Sequence, residues 1–152
     1  MRFWATGITV VTAEFESVQH GMTVSSFTSV SLEPPQVLIS LQQNTRTHYL
    51  ISRSRAFGVN ILGEDQREIS NRFAGRIPDE ENRFDQLEPF TINSRIPFIP
   101  GGLAYLECKV VTTLGSGTHT IFIGEVTGVR DVDGDHQPLI YFNREYYSLS
   151  TK

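Results

Sequence analysis

Short runs of β-branched and aromatic residues, parted by turn formers, extend along most of this chain, and that texture limits its fold more than any other feature. Thr6 to Thr12 (TGITVVT) reads as a first strand. Glu16 to Gly21 reads as a polar connection. Met22 to Leu32 (MTVSSFTSVSL) is a long alternating strand rich in hydroxyls, broken by Pro34 and Pro35. Gln36 to Leu41 (QVLISL) is apolar enough for a central strand. Phe57 to Leu62, Leu103 to Thr113, His119 to Val129 and Pro138 to Ser148 complete the set. Asp133-Gly134 marks a turn before the last of them.

The period changes to that of a helix only twice. Thr47 to Arg55 puts Leu50, Ile51 and Ser54 on one side, with Asn44 or Thr45 available as the cap. In Glu64 to Gly75, acidic residues favour the N-terminus, Ile69 and Phe73 share a face, and Gly75 can end the helix. Ile77 to Gly102 carries four prolines and little periodicity, as an extended excursion would. Strands that follow one another without regular helical crossovers argue against a doubly wound parallel sheet. The expected fold is mainly β, an antiparallel barrel with short flanking helices, formed as one domain by all 152 residues.

Charge and cysteine usage remove several function classes. The formal net charge is −4, and no cluster of Lys and Arg with aromatics is visible, so no nucleic-acid partner is expected. Lys109 and Lys152 are the only lysines. The remaining cations are arginines, which suit bidentate contacts to phosphate. Cys108 is the single cysteine, in an alternating apolar run, and reads as a buried inert thiol with no implied oxidising compartment. No apolar stretch is long enough to span a bilayer, so no membrane partner and a cytoplasmic location are expected. Met1 to Thr6 runs straight into a strand. A natural start further upstream, with a leading helix before it, would fit that.

Common catalytic signatures are missing: there is no GxSxG elbow, P-loop or HExxH. Asp131, Asp133 and Asp135 imitate a calcium loop, but His136 stands where that loop needs glycine. The four histidines have no metal-ligand spacing. Three segments do stand out. Thr23 to Ser29 carries hydroxyls on both faces of a strand; a solvated edge explains that as well as a surface for a planar heterocycle does. Asn44-Thr45-Arg46-Thr47 brings hydroxyls, a guanidinium and helix amides to one strand-to-helix junction, which suits a phosphate, although capping alone accounts for Asn44 or Thr45. Asn71-Arg72-Phe73-Ala74 ends the second helix, where Phe73 reads most simply as core.

In order along the chain, these segments resemble the flavin reductase family, whose fold is the FMN-binding split barrel. The carrying motifs are FWATGITVVT from Phe3 to Thr12, GMTVSSFTSVSL from Gly21 to Leu32 with Pro34-Pro35 after it, and Asn44 to Thr47. Phe57 to Leu62, Arg72-Phe73-Ala74, GTHTIFIG from Gly117 to Gly124 and Pro138 to Phe142 close the series. The resemblance implies an antiparallel Greek-key barrel and an NAD(P)H-dependent flavin reductase. It would use FMN or FAD as flavin and NADH or NADPH as reductant, form a homodimer, and supply reduced flavin to a partner monooxygenase. It implies that Thr23, Val24, Ser25, Ser26, Phe27 and Thr28 line the isoalloxazine, largely through backbone groups. Ser40, Leu41 and Gln42 would pass beside the ribityl chain. Thr45, Arg46 and Thr47 would hold the phosphate, with Phe73 and Ala74 closing that end. His119 would act catalytically on the nicotinamide side, near Tyr141, Arg144 and Tyr146. Thr45 stands where the family often has Ser, and Thr118 where it often has Asp; the latter removes a charge beside His119. A non-enzymatic FMN-binding or electron-carrier protein is the competing reading.

Overall fold

The structure, a computed structural model, describes residues 2–75, 78 and 81–149. Two consecutive left-handed residues, Glu16 (φ 50°) and Ser17 (φ 66°), close its first hairpin. They join β2 (Thr9–Phe15) to β3 (Val18–Val24), so the expected polar connection is a two-residue turn followed by strand. The Ser17 amide donates to the Glu14 carboxylate at 2.6 Å, which offsets the cost of L-residues in that backbone region. β1 (Thr6–Gly7) is separate from β2, and Ile8 between them bonds to the backbone of Leu139 and of Leu62.

The hydroxyl-rich run is also two strands. β3 ends at Val24, and β4 (Phe27–Leu32) begins after Ser25 and Ser26. β5 (Pro35–Gln42) starts on a proline, where a missing N–H is tolerated. With β6 (Ala56–Ile61), β7 (Ala104–Ser116) and β8 (His119–Asp131) these form an antiparallel sheet in the order β3-β2-β6-β7-β8-β5-β4. Its two edge strands, β3 and β4, are consecutive in sequence. A two-residue link spans only about 10 Å, so the sheet must curl until its edges meet. The result is a barrel that stays split where β3 and β4 diverge at Ser25-Ser26. The last expected strand is a hairpin instead, β9 (Ile140–Phe142) and β10 (Glu145–Tyr147), which pairs with β1 as a second small sheet.

Inside the barrel, Val11, Ile39, Leu41, Phe57, Cys108 and Phe122 pack with Leu50 and Ile51 of α1 (Arg46–Ser54). Burial pushes the Cys108 thiol up to about 12, so it is inert at neutral pH. The other face of β2 and β6 is covered as well. Val10 packs with Phe73, Phe84 and Ile99, which ties α2 (Arg67–Phe73) and the proline-rich excursion to the barrel. Buried Asn60 pins that excursion: its Nδ2 donates to the Val10 carbonyl at 2.9 Å, and its Oδ1 accepts the Ile99 amide at 2.8 Å. Glu107 accepts the amides of Asn93 and Ser94. From residue 84 to 102 a segment without periodicity is thus a fixed outer layer; residues 77, 79 and 80 of the expected excursion lie outside the described residues. Among the described residues, no helix is long and apolar enough to cross a membrane.

Candidate functional site

The split in the barrel opens into a cavity of about 820 Å³. One end of it is the β5–α1 junction. There Thr45, with extended backbone angles (φ −97°, ψ 148°), caps α1 by accepting the His48 amide at 3.4 Å. Its hydroxyl donates back to the Gln42 carbonyl at 2.8 Å. Thr47 is fully buried, and its Oγ1 shares a 2.8 Å hydrogen bond with Nδ1 of His20 on β3. Gln42, Asn44, Thr45, Arg46 and Thr47 all line this end. First-turn amides and the Arg46 guanidinium suit an anion at this cradle, while the Thr45 and Thr47 hydroxyls are held by Gln42 and His20.

The side wall comes from Thr23, Val24 and Ser25 at the end of β3, with Phe73 and Ala74 at the end of α2 facing the same space. The Thr23 hydroxyl donates to the Ser70 carbonyl at 2.6 Å, and the Ser26 hydroxyl to the Ser40 carbonyl at 2.7 Å. Those hydroxyls are engaged within the protein, so a planar ligand along this wall meets mainly backbone. Tyr141, Arg144 and Tyr146 of the β9–β10 hairpin complete the enclosure. The Tyr146 hydroxyl hydrogen-bonds Ser70 (2.8 Å) and Asn71 (3.1 Å), and the Arg67 guanidinium lies 5.2 Å from its ring centre. These contacts fasten the hairpin to α2.

A neighbouring cavity of about 570 Å³ takes the other predicted ring contacts, Ser26, Phe27 and Thr28, beside Trp4 and Leu38. Ser25, Tyr141 and Arg144 line both spaces. Three predicted residues line neither. Leu41 is 1 % exposed and points into the core. Ser40 meets Ser26 through its backbone. His119 is exposed at the start of β8, opposite Gln42 in register, with Thr118 Oγ1 2.9 Å from its Nδ1. Through that pairing it lies beside Gln42 at the cradle end. The sequence reading missed His20 and Arg83, which also line the main cavity. Had the Glu16-Ser17 turn been recognised, the alternation His20, Met22, Val24 would have marked one strand. Arg83 carries no local signal.

An antiparallel split barrel whose cleft has helix amides and a guanidinium at one end and aromatic side chains along it belongs to the class of proteins that can hold a phosphate-bearing, ring-containing ligand. A family model for the flavin reductase like domain matches residues 1–150, and the chain belongs to that family. It is 41 % identical over 147 residues to the NADH-dependent flavin reductase StyB of Pseudomonas fluorescens, spanning 95 % of this chain and 83 % of that one. It superposes on the styrene monooxygenase flavin reductase SMOB of Pseudomonas putida S12 with a TM-score of 0.84 and 36 % identity, covering 99 % and 95 % of the two chains. It also matches the Streptomyces globisporus C-1027 NADH:FAD oxidoreductase SgcE6, solved with NAD and FAD fragments, at a TM-score of 0.89 and 32 % identity over 97 % and 87 %.

Proposed function

We propose that this protein is an NADH-dependent flavin reductase that supplies reduced flavin to a partner monooxygenase. The observation that carries the reading is one cleft lined both by Thr45, Arg46 and Thr47 at the start of α1 and by Thr23 to Ser25 at the end of β3. The dimensions and donor set fit a flavin phosphate with its ring system. Ser40, Leu41 and Gln42 would offer backbone beside the ribityl chain, and Phe73 and Ala74 would close the phosphate end. Ser26, Phe27 and Thr28 would carry the ring toward the second space, where Tyr141, Arg144 and Tyr146 face the reductant. His119 is assigned to the reductant side on resemblance alone.

When bound, flavin would supply the redox chemistry as the acceptor of hydride from a reduced nicotinamide. The chain's own contribution is binding, orientation and exclusion of water. The Tyr141–Tyr146 pair, with ring centres 5.3 Å apart, provides an aromatic wall anchored on α2. No side chain need move a proton during hydride transfer. The names of the related proteins support NADH as reductant and a monooxygenase as recipient.

A homodimer completes the proposal. β4 is a sheet edge with exposed Val30 and Leu32, and Phe3 and Trp4 are 82 % and 67 % exposed. An apolar strand edge of this kind is a site for association. Steady-state turnover tests the activity: purified protein should oxidise NADH only when FMN, FAD or riboflavin is present. Protein that binds flavin yet oxidises neither NADH nor NADPH would be the electron carrier instead.

A further inference from the structure

The far end of the β7–β8 hairpin has strand support on one side. Among the described residues, β6 pairs with β7 from Ala104 to Lys109 and no further. Past that point the sheet continues through β8 and β5, as far as His119 opposite Gln42. On β7, Val111 to Ser116 are exposed. The start of β8, where His119 stands, therefore relies on side-chain ties for its position.

His48 in the first turn of α1, and Gln43 just before that helix, supply such ties. His48 Nε2 lies 2.8 Å from Thr120 Oγ1. Gln43 Nε2 donates to the same hydroxyl at 3.4 Å and to the His119 carbonyl at 3.1 Å. Thr120 is 6 % exposed, and strand alternation turns its neighbour His119 to the opposite, exposed face. The backbone of His48 belongs to the cradle, since its amide is the one that the Thr45 hydroxyl accepts. One residue thus joins the cradle by its backbone to the start of β8 by its ring. Burial lowers the His48 pKa from its usual value, which keeps the ring neutral near pH 7. A neutral imidazole has one donor and one acceptor nitrogen, and a threonine hydroxyl can answer either.

We propose that His48 is a positioning residue for flavin reduction: through Thr120 it sets the start of β8, and with it His119, against the cradle. The proposal rests on the flavin reading above and on the assignment of His119 to the reductant side. A phosphate on the first turn of α1 would fix one end of the flavin, and the His48 tie fixes the start of β8 relative to that same turn. Loss of the tie leaves the cradle whole, because the Thr45 cap uses the His48 amide and not its ring. What changes is how often His119 stands in its working geometry, a cost that falls on kcat.

Steady-state kinetics with NADH and FMN, with FMN titrations alongside, test this in wild type, His48→Ala, His48→Gln, Thr120→Val, His119→Ala and the double variant at positions 48 and 119. Thr120→Val removes the hydroxyl but keeps the His48 ring beside Phe122, where the ring centres are 5.3 Å apart, so it separates the tie from packing. His48→Ala and Thr120→Val should each lower kcat by about fivefold, the worth of one hydrogen bond, while the FMN dissociation constant moves by less than about twofold. His48→Gln, whose amide can stand in for Nε2, should restore most of kcat. In the His119→Ala background, His48→Ala should cost no further kcat. An undiminished second loss there, an unchanged kcat in Thr120→Val, or a fall in FMN affinity that matches the fall in kcat would overturn the positioning role and leave flavin reduction standing. If His119→Ala leaves kcat unchanged, the role falls with the assignment of His119. If the wild-type protein oxidises no NADH with FMN, the flavin reading itself fails.

Discussion

Arg46 is the residue that can separate recognition of the phosphate from recognition of the ring. It is exposed at the first position of α1 and lines the cradle end of the cleft. Arg46→Ala should weaken FMN by about 10- to 100-fold, the worth of a hydrogen bond to a charged group. Riboflavin, which lacks the phosphate, should be nearly unaffected; equal weakening of both in a fluorescence titration would refute the assignment. His119 poses the opposite test. If it serves the reductant, His119→Ala lowers kcat by more than it raises the FMN dissociation constant. A loss of FMN affinity with kcat preserved would assign it to the cradle, beside its register partner Gln42. At this scale the grouping of Asn44 to Thr47 at one end of the cleft was legible because they are neighbours in sequence at the start of α1. His20 and Arg83 were not, because they are 63 positions apart and meet only when the excursion folds back onto β3.

At the scale of elements, two hairpins close on residues that are neither glycine nor proline: Glu16-Ser17, and Asn143-Arg144 with φ of 50° and 71°. Each missed turn fused strands or hid one, so β3 lost its first half and β9–β10 became a single run. Tertiary pairing holds these residues in a region that local propensity disfavours. Strand identity elsewhere was readable, since β5 to β8 have the apolar content their burial demands. Gly58 on β6 shows how closely that layer is packed. A Cβ there would lie 2.6 Å from Thr12 Oγ1 and 2.8 Å from both Ile96 and Phe98. Gly58→Ala should therefore cost about 1–3 kcal/mol, seen as a lower urea midpoint with an unchanged slope.

For the whole molecule, the decisive property is the closure of a sheet whose edges are successive strands. The exposed β4 edge then predicts the assembly. Light scattering on the eluting protein should give about twice the 17.1 kDa chain mass. Leu32→Asp, at a residue 85 % exposed in the single chain, should shift the species toward monomer. A monomeric wild-type protein would reject that interface. Strand-rich class, apolar faces, the position of the α1 N-terminus and, through the order of the motifs, the family were all readable from the sequence. Those properties are local or cumulative along the chain. Only the tertiary structure decided that the hydroxyl-rich run breaks at Ser25-Ser26 and that the break is the mouth of the cleft. It also decided that the proline-rich excursion delivers Arg83 to the same cavity as the cradle. Each of these depends on contacts between residues far apart in sequence, and no local period or propensity encodes such a contact.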